Sequence, residues 1–88
     1  MAWRIEWSKE ALRDMGRMEQ GDARRLMKKL ESSPESPQSH FERLSGHDDY
    51  KLRAGDLRAI CLLTFQSQVI FVEKVGHRKN IYKKFSKR

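Results

Sequence analysis

The residues of this chain best equipped for chemistry are cationic, and they recur at alternate positions. Lys51, Arg53 and Arg58 flank Ala54-Gly55-Asp56 in the segment YKLRAGDLRAICLL. With Gly55-Asp56 as a two-residue hairpin turn, Arg53 faces Arg58 across the ladder and Ala54 faces Leu57. Side chains alternate along a strand, so Lys51 shares the face of Arg53 and Arg58. Like charges directly opposite one another destabilise a sheet. A cluster of this kind is either well solvated or holds an anion, and arginine can offer an anion two parallel hydrogen bonds. Metal chemistry has no comparable signal. His40, His47 and His77 have no cysteine partners at zinc spacing. The single Cys61 cannot form an intramolecular disulfide and reads as a small core residue. Neither a metal nor a small-molecule cofactor is expected.

The charge of the whole chain is placed unevenly. Net charge is +7, but residues 1–49 hold nine Lys/Arg against ten Asp/Glu, while residues 50–88 hold ten against two. The first part therefore carries −1 and the second +8. Charge gathered in one half is the electrostatic footprint of a polyanion partner, most simply a nucleic acid. The plainer reading is a basic surface kept for solubility, and the asymmetry favours the polyanion.

The elements that must position the cluster can be read in order. Trp3, Ile5 and Trp7 alternate with Arg4 and Glu6, the pattern of a half-buried strand over 2–7. Ser8 is placed to cap a helix over 9–19, whose apolar stripe is Ala11, Leu12, Met15 and Met18. Gly21 interrupts that pattern, and Asp22 is placed to cap a second helix over 23–32 with Ala23, Leu26, Met27 and Leu30 inward. Two prolines, Pro34 and Pro37, make 32–46 a loop from which Phe41 and Leu44 tuck back onto the core. Three apolar runs between Tyr50 and Tyr82 read as strands in hairpins. The expected fold is α+β, one domain over 1–88 in the order β-α-α-β-β-β. Two helices pack on one face of a four-stranded, largely antiparallel sheet, and the other face is left open beneath Lys51, Arg53 and Arg58. No apolar run approaches a membrane span, and the charged N-terminus is unlike a signal peptide, so the expectation is cytoplasmic with no membrane partner.

The order of elements, the K-L-R-x-G-D-x-R segment from Lys51 to Arg58 and the V-G-H-R-x-x-x-Y segment from Val75 to Tyr82 resemble the RelE/ParE superfamily of toxins from toxin–antitoxin pairs. The resemblance covers nearly the whole chain and is nearer the RelE branch. It implies a RelE-type toxin, which enters the ribosomal A site and cuts the mRNA there. ParE-type toxins act instead on DNA gyrase and generally lack the basic RNase residues. Carried over position by position, the resemblance makes Lys51, Arg58, Arg78 and Tyr82 the catalytic set. A further family lysine, two residues before Lys51, is replaced here by Asp49. The partners it implies are the ribosome, its mRNA and a cognate antitoxin protein similar to RelB.

These residue types suit metal-free RNA cleavage on chemical grounds. The 2′-OH of RNA can attack the adjacent phosphate and leave a 2′,3′-cyclic product. The protein must orient the nucleotide, move protons and stabilise charge on the phosphorus. Lys51 and Arg58 would stabilise that charge, with crowded Lys51 the candidate base. Arg78 would sit near the departing 5′-oxygen, and Tyr82 would stack on a splayed base. Arg53, His77, Lys79, Lys83 and Lys84 are the expected RNA contacts around them. His77 is also a candidate proton shuttle or a turn-shaping residue. The alternatives are a ParE-like or inactive member acting on a protein, and a plain RNA-binding module.

Overall fold

The computed structural model describes residues 3–44 and 49–85, with side chains as far as Ile81. Strand β1 (Arg4–Trp7) is followed by helices α1 (Lys9–Arg17) and α2 (Gln20–Ser32). A 3₁₀ turn (Ser33–Glu35) and the short helix α3 (Pro37–His40) lead into strand β2 (Phe41–Arg43). Then come β3 (Tyr50–Ala54), β4 (Leu57–Thr64), β5 (Val69–His77) and a final helix α4 (Arg78–Phe85). The sheet has five strands in the order β1-β5-β4-β3-β2, one more than the sequence reading expects. The extra strand is β2, which pairs antiparallel with β3 and contributes Phe41 to the core.

Ser8 does what its position predicts, and more. Its Oγ accepts the Ala11 N–H at 2.9 Å, capping α1, and donates to the Glu73 carbonyl at 2.7 Å. One hydroxyl thus ties the start of α1 to β5. The first strand also pairs with β5, and it does so in parallel, with Arg4 against Val69 and Trp7 against Val72. The sheet is therefore mixed. The second helix begins at Gln20 with Glu19 at its N-cap, so Asp22 lies inside the first turn and does not cap it.

The core sits between the sheet and the two long helices. Ala11, Leu26 and Leu30 pack against Leu52, Leu57, Ala59, Ile70, Val72 and Val75, with Met15 and Met18 partly buried beside them. Each fully buried aliphatic side chain contributes about 1.5–3 kcal/mol relative to exposure. Leu12 departs from its expected place in the stripe and is 56% exposed. Cys61 is buried in this core, and burial, helped by the charges of Glu73 and Asp49, pushes its thiol far above the ordinary range.

The opposite face is not fully open, contrary to expectation. The tail after His77 turns into α4, whose Ile81 is buried against Ile60, with Leu44 packed alongside. A Cβ on Gly76 would lie 3.7 Å from Ile81 Cδ1, so the helix passes directly over that glycine. Among the described residues no helix is long and apolar enough to cross a membrane.

Candidate active site

The hairpin of β3 and β4 places the cationic cluster. Gly55 takes a φ of 63°, a conformation that L side chains rarely adopt, and the tight turn sets the register. Arg53 lies opposite Arg58, Lys51 opposite Ile60, and Ala54 opposite Leu57. Leu52, Ala54, Leu57 and Ala59 point to the core behind α1 and α2. By alternation, Lys51, Arg53 and Arg58 share the other face.

Arg58 is the unusual member. It is 6% exposed although guanidinium is always charged. Its Nη1 donates to the Gly55 carbonyl at 2.7 Å and to the Leu57 carbonyl at 2.9 Å, while its buried Nε has no hydrogen-bond partner. Burying a cation is costly unless an anion completes its surroundings. Among the described residues no carboxylate is paired with it. Arg58 is thus a fixed cation with donor capacity to spare, beside Arg53 and two residue pairs along the ladder from Lys51.

The other predicted residues divide. Lys51 approaches Glu42 on β2, Nζ to Oε1 3.7 Å. Arg78 opens α4 and is 56% exposed in its side chain, with its backbone N–H on the Asp56 carbonyl at 2.8 Å. Lys79 is exposed on the same helix. Tyr82 is one helical turn beyond Arg78, but its side chain, like those of Lys83 and Lys84, lies outside the described residues, as does His47. His77 separates from the cluster. It pairs with Leu57, a core-facing residue, and its Nε2 lies 3.6 Å from Asp22 Oδ2 on α2. That puts it on the helix side of the sheet, away from Arg58. His40 contacts the Ser36 carbonyl through Nδ1. Asp49 is buried, and its carbonyl accepts the Leu44 N–H to close the β2–β3 connection.

A cavity of about 590 Å³ lies between the α1–α2 elbow, the end of β5 and α4, lined in part by Asp14, Arg17, Glu19, Asp22, His77 and Asn80. Its three carboxylates outweigh Arg17, whereas the neighbouring face is basic. Among the described residues no three His, Cys, Asp or Glu side chains are grouped to hold a metal ion. Sequence reasoning missed the backbone of Gly55 and Asp56 as partners of the two arginines. The G-D step that signalled the turn was the signal for that role too.

A mixed five-stranded sheet, two long helices behind it and a cationic hairpin on its front define a small α+β domain. The chain belongs to the family of ParE toxins of type II toxin–antitoxin systems, whose model matches residues 5–82, and so to the RelE/ParE superfamily. It is similar to the isolated RelE toxin of E. coli, at 29% identity and a TM-score of 0.73 over 99% of this chain and 98% of that one. It is similar to the toxin of the intact E. coli RelBE toxin–antitoxin complex, at 28% identity and a TM-score of 0.72 over 86% and 96%. A chain of the RelBE2 complex of Mycobacterium tuberculosis shares the fold at 14% identity, with a TM-score of 0.79 over 89% and 100%. Among curated proteins, none matches this chain in sequence.

Proposed function

We propose that this toxin is a ribosome-dependent endoribonuclease that cuts mRNA in the A site. The observation that carries the reading is Arg58, a buried cation held by carbonyls, with an unpartnered Nε, on the same face as Lys51 and Arg53. A phosphate is the anion that completes such a site. In the proposed reaction the 2′-OH attacks the neighbouring phosphorus, Lys51 takes its proton, and Arg58 stabilises the phosphorane-like charge. The bond to the 5′-oxygen breaks, that oxygen takes up a proton from water while Arg78 stabilises its charge, and Tyr82 stacks on a base. Arg53, Lys79, Lys83 and Lys84 hold flanking phosphates. His77 is not given a proton-transfer role, because it faces Asp22 behind the sheet.

The cationic face offers no paired carboxylate and histidine of the sort that lets a nuclease act alone, the pair of His77 and Asp22 lying behind the sheet, so the ribosome supplies substrate orientation. Toe-printing of mRNA on programmed ribosomes with the purified protein tests this. Cuts confined to the A site, with free mRNA left intact, are expected. Equal cutting of naked RNA at the same positions overturns ribosome dependence. The partner is an antitoxin similar to RelB, acidic where it meets the basic half of this chain. Pull-down from the host recovers a small protein if this is right, and the chain alone if it is wrong.

The name of the matched family favours a second reading, a ParE-like toxin directed at a protein. Intact mRNA on ribosomes, together with growth arrest on expression, would select it.

A further inference from the structure

Both arginines given to charge stabilisation are held by one two-residue turn. Gly55 has a positive φ and Asp56 does not, since Gln68 is the only described non-glycine residue with one. That is the pattern of a type II′ turn, which requires glycine at its first position. In this conformation the Gly55 carbonyl accepts from Arg58 Nη1 at 2.7 Å. The next carbonyl, that of Asp56, accepts from the backbone N–H of Arg78 at 2.8 Å. Arg78 is the first residue of α4, and its N–H is one of those for which a helix provides no internal partner. Two successive carbonyls of the turn therefore serve the two arginines. The Asp56 carboxylate adds little, being exposed and 3.9 Å from Arg78 Nε.

The turn is backed from behind the sheet. A Cβ on Gly55 would come within 3.1 Å of Arg25 Nη1, so the α2 guanidinium lies against the turn. Arg25 is itself steered by Asp22, 3.3 Å away on the preceding helical turn.

We propose that Gly55 is a positioning residue of the cleavage site, setting the turn whose carbonyls fix Arg58 and Arg78 relative to one another. The proposal rests on the cleavage reading. It makes no contact with substrate part of the role of Gly55. What Gly55 supplies is a backbone conformation that sends one carbonyl to a guanidinium and leaves the next free for α4.

The test compares Gly55→Val with D-alanine placed at position 55 by chemical ligation, because a D residue adopts positive φ without strain and valine does not. At saturating ribosomes the valine variant should cut slower by on the order of tenfold to a hundredfold, the scale set by misplacing a reacting group by an ångström. The ribosome concentration for half-maximal cutting should stay within about twofold, since many other cations share that binding. The D-alanine variant should cut within about threefold of wild type. If Gly55→Val does not fold, as read by circular dichroism, Gly55→Ala carries the same comparison. A folded Gly55→Val or Gly55→Ala variant that cuts at the wild-type rate overturns the proposal, and so does a D-alanine variant as slow as Gly55→Val. Amide hydrogen exchange at Arg78 needs no activity. Its amide should be protected in the wild type and exchange faster in the valine variant, and an unprotected wild-type amide overturns the proposal. A wild type that protects this amide but cuts no mRNA leaves the hold of the turn standing and overturns the cleavage reading.

Discussion

Arg78 and Asp56 meet at two points, a 2.8 Å hydrogen bond from backbone N–H to carbonyl and a 3.9 Å approach of Nε to the carboxylate. The first fixes where α4 begins, and the second leaves the side chain exposed and free to swing to a phosphate. Arg78→Ala keeps the backbone bond and loses only the guanidinium. Single-turnover cleavage on saturating ribosomes should fall by about 3–4 kcal/mol of transition-state stabilisation, with ribosome affinity nearly unchanged. Arg58→Ala should behave alike, whereas Lys29→Ala, exposed on α2, should leave the bound rate untouched. Wild-type rates for both arginine variants would reduce them to binding residues.

The second expectation concerns how α4 is attached. Ile81 is the buried side chain by which it grips Ile60 and Gly76. Ile81→Ala removes about 2–5 kcal/mol of packing, more than an eight-residue helix can supply alone. Hydrogen exchange should show α4 amides losing protection while those of β4 and β5 keep theirs. Simultaneous loss in helix and sheet would mean that α4 is integral to the core.

Gln68 carries a φ of 57°, and its carbonyl accepts the Arg4 N–H at 2.9 Å. The left-handed conformation costs a non-glycine residue about 1–2 kcal/mol, part of which glycine returns as chain entropy. Gln68→Gly should therefore raise stability by roughly 0.5 kcal/mol in urea unfolding. A loss of stability would show that the Gln68 side chain matters more than the strain.

Cys61 offers a test against pH. Its thiol is pushed up by burial first, then by Glu73 and Asp49, so the folded state keeps a proton that the unfolded state gives up. Stability from this group is intact below the ordinary thiol range, about 8.5, and declines as pH rises through and beyond it. Alkylation at pH 8 should be slow in the native protein and fast in urea. Equal rates would place the thiol at the surface.

What the sequence made legible was local. The G-D step predicted the hairpin register residue for residue, Arg53 against Arg58 and Ala54 against Leu57. Ser8 announced the start of α1 because a strand pattern stopped just before it. The additional helix α4 escaped because Ile81 alone of its described residues is buried, which leaves no periodicity to read. Strand β2 escaped because it is three residues long and only Phe41 turns inward. Asp22 looked like a cap, yet its carboxylate reaches Arg25 and His77. That contact drew His77 behind the sheet, which strand parity counted from the Leu57 pairing could have anticipated.

The parallel ladder of β1 on β5 limits how early this fold can close. Ile5 finds Ile70, and Ser8 finds Glu73, only after β5 has been made. Contacts this distant in sequence carry a large loop-closure cost and place assembly late. A chain still being synthesised has the arginine hairpin but lacks the strand that seats its N-terminus. The sheet therefore cannot close on its first strand until β5 has emerged from the ribosome.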